Sequence, residues 1–418
     1  MNILIKSATI IDSKSEFHNT TQDILIEKGV ITKIESTIKN PKNYQEISFE
    51  NLHISQGWFD SSVCFGEPGF EERDTIKNGL KTAVASGFTA VAMNANTNPV
   101  IHSNSDITFV NAKASNNAVT LLPIGALTVG SKGEDLATLY DMNTAGAAAY
   151  YDYKKPINNP NLLKIALQYA SNFGGLVCSF PQENKISGNG VVNEHINSTK
   201  LGLKGIPALA EELQVARDLF LLEYTGGKLH IPTISTVKSV ELIREAKKKK
   251  LDVTCSVAIH NLYFTDAVLA DFNTHFKVLP PLRTQTDVDA LIEAVKDGTI
   301  DMVTSDHNPI DIEHKKIEFD YAAYGTIGLE SAFGALQTIF TTKQTIDILT
   351  KGKSRFGIAQ TPINVGNKAN ITLFNPNSKY PFTTKNIISK SKNAIFENES
   401  LKGSVYGIIA NNQTVLNL

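Results

Sequence analysis

Carboxyl, imidazole and thiol groups are the side chains able to move protons, hold ions or attack a carbonyl, and here several stand at the ends of apolar runs. Asp152 closes the run Ala147-Ala148-Ala149-Tyr150-Tyr151, and Asp306 follows Asp301-Met302-Val303-Thr304. Acids so placed serve chemistry or are simply held in hydrogen-bond networks at strand ends, and the second reading is preferred. His230, His260 and His307 read as packed or hydrogen-bonded imidazoles rather than ligands. Cys64 reads as a small buried hydrophobe before a reactive thiol. The three cysteines, Cys64, Cys178 and Cys255, are widely spaced and odd in number, so they form neither a disulfide framework nor a CxxC knuckle. Tyr153, beside Asp152, reads as a packing residue.

The elements that must position these groups alternate regularly. Thr89–Met93 follows a helix ending near Ser86-Gly87, and Gly175–Cys178 follows a helical stretch over 161–172. Lys228–Ile231 follows 209–224, Asp252–Val257 follows 237–250, and Asp301–Thr304 follows 286–297. Strand–helix units without hairpin signals argue for a parallel sheet, and their number fits a closed barrel better than an open sheet. Both ends differ. Residues 3–11 and 23–34 read as strands, the second broken by Lys28-Gly29, and 369–374 and 403–410 read as strands between Asn/Pro/Ser-rich loops. The termini together therefore make one small β-domain.

At 418 residues, 42% hydrophobic and 20% charged, the chain suits a decorated α/β barrel with a large core. A net charge of −2 gives no electrostatic reason for nucleic acid or an anionic membrane as partner. The one basic cluster, Lys247 to Lys250, reads as the solvated last turn of a helix. The N-terminal segment has no signal-peptide pattern and no apolar run reaches spanning length, so a cytoplasmic location is expected.

The segment Gly57-Trp58-Phe59-Asp60-Ser61-Ser62-Val63-Cys64-Phe65-Gly66-Glu67-Pro68-Gly69 resembles the strand-one signature of dihydroorotases, D-x-H-x-H-x-R-x-P-G. Further segments match in order along nearly the whole chain. They include Asn96-Thr97-Asn98-Pro99, Gly125-Ala126-Leu127-Thr128, Val192-Asn193-Glu194, Pro280-Pro281-Leu282-Arg283, Ser305-Asp306-His307 and Gly325-Thr326-Ile327-Gly328-Leu329-Glu330. The resemblance implies a (β/α)8 amidohydrolase barrel over residues 55–355, with the β-domain built from 1–54 and 356–418.

It also implies two zinc ions at the C-terminal face of the barrel, held by imidazoles and carboxylates that make a hydroxide nucleophile from water. Ser62 and Cys64 stand where the family has its H-x-H pair. Phe180 and Thr233 replace the other two histidines, while Asp152 matches the bridging carboxylate and Asp306 the aspartate that is both ligand and general base. The substrate contacts are altered too: Gly66 replaces the arginine clamp, Leu279 an asparagine and Ile310 a histidine, and Asn96 alone is kept. The resemblance thus implies a catalytically inactive homologue with remnant ligands Asp152 and Asp306 and no cofactor. Such a protein would act as a homodimer or as a partner of aspartate transcarbamoylase. The alternative is an active cyclic-amide hydrolase using Asp306 as base, with Asp152 and Cys64 holding one weakly bound ion.

Overall fold

The computed structural model describes residues 1–40 and 42–417. Eight parallel strands run in chain order through one sheet: Trp58–Val63, Phe88–Met93, Thr120–Gly125, Ala149–Tyr150, Leu176–Cys178, Lys228–Ile231, Val253–Ala258 and Met302–Thr304. Cys64 donates its amide to the carbonyl of His307 at 2.7 Å, and Val63 bridges His307 in parallel, which brings the last strand back to the first. The alternation read from the sequence therefore curls into the expected barrel.

The third strand, Thr120–Gly125, was not legible as a strand because Pro123 sits inside it, and proline removes a ladder donor. Its carbonyl still serves the ladder, accepting from Ala148 N–H at 2.9 Å. Helices between the strands carry ordinary start signals. Thr75 accepts from Asn78 N–H ahead of Ile76–Ala85, and Thr284 and Asp287 form a capping box ahead of Gln285–Lys296. The helix Val237–Lys248 does end in the lysine cluster, but Lys247 is not merely solvated. Its ammonium lies 2.7 Å from Asp301 and from the carbonyl of Thr299, pinning that helix to the approach of the last strand.

Strands from both ends make the second sheet. Ile3–Ile10, Thr21–Glu27 and Val30–Glu35 join Ile371–Pro381, Ser400–Ala410 and Gln413–Leu416 through the linking strand His53–Gln56, which pairs antiparallel with Ile371 to Phe374. This domain has its own core of Ile3, Ile5, Ile24, Ile26, Ile54, Ile371 and Leu373. A larger apolar layer lies between barrel and helices, and a separate cluster fills the barrel lumen with Phe59, Ala90, Ile124, Tyr151, Cys178, Phe180, Leu279 and Met302. No helix among the described residues is long and apolar enough to cross a membrane.

Candidate active site

The C-terminal ends of the strands gather Ser62, Cys64, Tyr153, Lys154 and Asp306. Asp306, in a left-handed conformation (φ 48°) just past the last strand, is 2% exposed. Its Oδ2 accepts from Lys154 Nζ at 2.7 Å, and its Oδ1 accepts from Tyr153 Oη at 3.4 Å. Burial pushes the Asp306 carboxyl up, while Lys154, Tyr153 and Ser62 oppose that rise. Asn94, at the end of the second strand, donates to Ser62 Oγ at 3.0 Å and toward Cys64 Sγ at 3.7 Å. Burial drives the Cys64 thiol up to about 12, which suits the small buried hydrophobe read from the sequence.

Lys154 gave no signal in the sequence beyond lying one residue past Tyr153. What makes it part of the site is backbone conformation. At φ 52° its chain turns back, its N–H donates to Tyr151 Oη at 3.0 Å, and its ammonium lies 5.3 Å from the centre of the Tyr153 ring. Tyr153, read as a packing residue, instead makes polar contact with Asp306 and Cys64.

Asp152 points elsewhere. It accepts from the backbone N–H of Thr128 at 3.0 Å and from the Thr128 hydroxyl, fixing the loop after the third strand. It makes no hydrogen bond to Asp306, which this segment reaches through Tyr153 and Lys154 instead. Phe180 and Leu279 are buried together in the lumen cluster, and Thr233 (φ 49°) has a buried hydroxyl without a partner among the described residues. Asn96 is half-buried, and Ile310 lines a separate cavity of 870 Å³ with His275, Asp311 and Lys315.

Two of the three histidines are hydrogen-bonded within the fold. His230 meets Thr254 Oγ1 at 3.0 Å and Ser256 Oγ at 3.3 Å. His307 Nδ1 accepts from the N–H of Gly328 at 3.1 Å, which fixes its proton on Nε2. His260 is fully buried with both ring nitrogens unpaired among the described residues. Arg283, from the Pro-Pro-Leu-Arg segment, donates to Asn193 Oδ1 at 2.8 Å, Ile206 O at 2.9 Å and Ser235 Oγ at 3.0 Å, tying three of the loops together.

Zinc does not fit this set of donors. The one acid in the cluster faces an ammonium, one thiol cannot stand in for two imidazoles, and Phe180 offers no lone pair. Among the described residues no group of three or more His, Cys, Asp or Glu side chains could hold an ion. What remains is an acid–ammonium–phenol cluster whose Tyr153 packs against the apolar side chains of the lumen.

Residues 53–239 match the family model described as dihydro-orotase-like. A dihydroorotase of Pelotomaculum thermopropionicum is 39% identical over 426 residues, covering 100% of this chain and 99% of the relative. A dihydroorotase of Acetivibrio thermocellus is 39% identical over 422 residues, covering 99% of each. Among solved structures, the L-hydantoinase (dihydropyrimidinase) from Arthrobacter aurescens superposes with a TM-score of 0.85 at 18% identity, covering 100% of this chain and 96% of that one. That likeness shows the shared barrel and β-domain, and the relatives, similar from end to end, establish that this chain belongs to the dihydroorotase family.

Proposed function

We propose that this protein is a non-catalytic dihydroorotase homologue that serves pyrimidine biosynthesis through protein contacts. The observation that carries this reading is the set of groups around Asp306: a lysine ammonium at 2.7 Å, a phenol and a serine stand where metal-binding imidazoles would be needed, with Phe180 and Leu279 in the apolar lumen cluster. Catalysis in this family needs a metal-activated hydroxide and an anchored substrate carboxylate. None of the family's four metal histidines is kept here, and of its substrate contacts only Asn96. The partners that suit the role are a second copy of the chain and aspartate transcarbamoylase, in the cytoplasm, and a lasting interface should bury more than about 1,000 Å². Affinity capture from the native host, with light scattering of the purified chain, tests the assembly.

The competing reading is an active cyclic-amide hydrolase, and the dihydroorotase names of full-length relatives favour it. It would need Asp306 as base, although that carboxylate is already committed to Lys154 and Tyr153. Turnover of dihydroorotate by the purified protein, with and without added zinc, separates the two. Hydrolysis at an ordinary enzymatic rate would end the non-catalytic reading.

A further inference from the structure

We infer that the Lys154 ammonium is an internal cation that neutralises Asp306 and ties the fourth strand's loop to the eighth, so that the site is complete without any metal ion. The inference deepens the non-catalytic reading and rests on it for its setting, though not for its test. Lys154 Nζ is 2.7 Å from Asp306 Oδ2, and the two side chains are 9% and 2% exposed. An isolated carboxylate so deep is strongly disfavoured, and a facing charge with further hydrogen bonds is what makes such burial tolerable. Those further bonds are present: Tyr153 Oη reaches the other oxygen at 3.4 Å, and the Ser62 side chain also hydrogen-bonds the carboxylate. The lysine is held from its own side as well, by its N–H on Tyr151 Oη and by the Tyr153 ring beneath its ammonium.

An ammonium is a compact single positive charge with three donors, so it can answer one carboxylate but cannot gather several ligands or polarise a carbonyl as zinc does. The arrangement therefore keeps the electrostatic balance of a cation site and gives up its chemistry. The pair joins residues 152 positions apart across the barrel mouth.

The test is a double-mutant cycle on thermal unfolding of the whole chain, using Lys154→Met, Asp306→Asn and both together, alongside metal analysis. Lys154→Met should lower Tm by several degrees, and the double variant should recover a substantial part of that loss because no charge is left buried alone. Unsubstituted protein should carry far less than one zinc per chain, and its Tm should not move with chelator or added zinc. If Lys154→Met fails to fold, the double variant must fold for the inference to stand; failure of both means that the lysine stem, not its charge, matters. Additive effects, or stoichiometric metal whose removal lowers Tm, would overturn it. Dihydroorotate turnover by a metal-free protein with a coupled pair would sink the non-catalytic reading and leave this inference intact.

Discussion

At Gly66 a single added carbon would meet the carbonyl oxygen of Phe70 at 2.1 Å. That contact is with backbone, held by the Phe70 N–H to Gly66 carbonyl bond at 2.7 Å, so the tight turn itself must move to admit a side chain. Gly66→Arg should therefore lower stability without supplying a clamp, by about 1–3 kcal/mol for an overpacked site, read as a reduced urea midpoint. Gly66→Ala should show most of the same loss, because the clash begins at Cβ. His230 and His260 make a second point at this scale. Burial pushes each imidazole down to about 3, well below the ordinary 6.5. In the unfolded chain both would take up protons near pH 6.5, whereas the folded protein keeps them neutral, so the unfolded state binds more protons between those values. Stability is full above about pH 6.5 and should fall progressively toward pH 3. His230→Asn should flatten that slope in urea titrations at pH 4, 5, 6 and 7, and an unchanged slope would show that this imidazole does not contribute to it.

Between elements, Asp60 hydrogen-bonds across the closing seam of the barrel. Its buried carboxylate accepts from Ser305 N–H at 2.8 Å, Ser62 N–H at 2.9 Å and the Thr304 hydroxyl, joining the first strand to the last. Burial raises this carboxyl while those donors pull it down. Asp60→Ala would leave the backbone donors of Ser62 and Ser305 unsatisfied, at about 1–3 kcal/mol each, a large share of the stability of an ordinary domain, while the Thr304 hydroxyl keeps the Ser62 carbonyl at 3.3 Å. The expected outcome is a marked drop in urea midpoint, with faster hydrogen exchange at the Cys64 amide, whose acceptor is His307 O across the same seam. Asp60→Asn, which keeps one acceptor oxygen, should lose less. Equal losses for the two variants would mean that the acceptor oxygens are not what closes the seam.

Across the whole molecule, the altered positions act together, so restoring the metal ligands alone should not restore an enzyme. In a variant with Ser62, Cys64, Phe180 and Thr233 all changed to histidine, Lys154 still holds Asp306 and Thr128 still holds Asp152. Leu279 still presents an apolar surface, and Ile310 still lines the neighbouring cavity. Losing charged hydrogen-bond partners removes about 1.5–3 kcal/mol each, and poor positioning raises the barrier further. Negligible turnover of dihydroorotate is expected in the zinc-supplemented assay; an ordinary enzymatic rate from this variant would show that the altered substrate-side positions do not by themselves prevent catalysis.

Hydrophobic period and turn residues were enough to read the β-domain from both termini and the repeated strand–helix units, because burial patterning is local. The ordered motif segments likewise placed Ser62, Cys64 and Asp306 at one barrel face. Spacing alone could not show that Pro123 lies in a barrel strand, since its cost is decided by whether the ladder can use its carbonyl. Nor could it distinguish Asp152 from its neighbours, because which residue of Asp152-Tyr153-Lys154 enters the cluster depends on backbone dihedrals after a two-residue strand. The left-handed turn at Lys154 aims an ammonium at an acid far along the chain. Residue types could be read from the sequence, but a pairing made through the closed barrel exists only once the first and last strands have met.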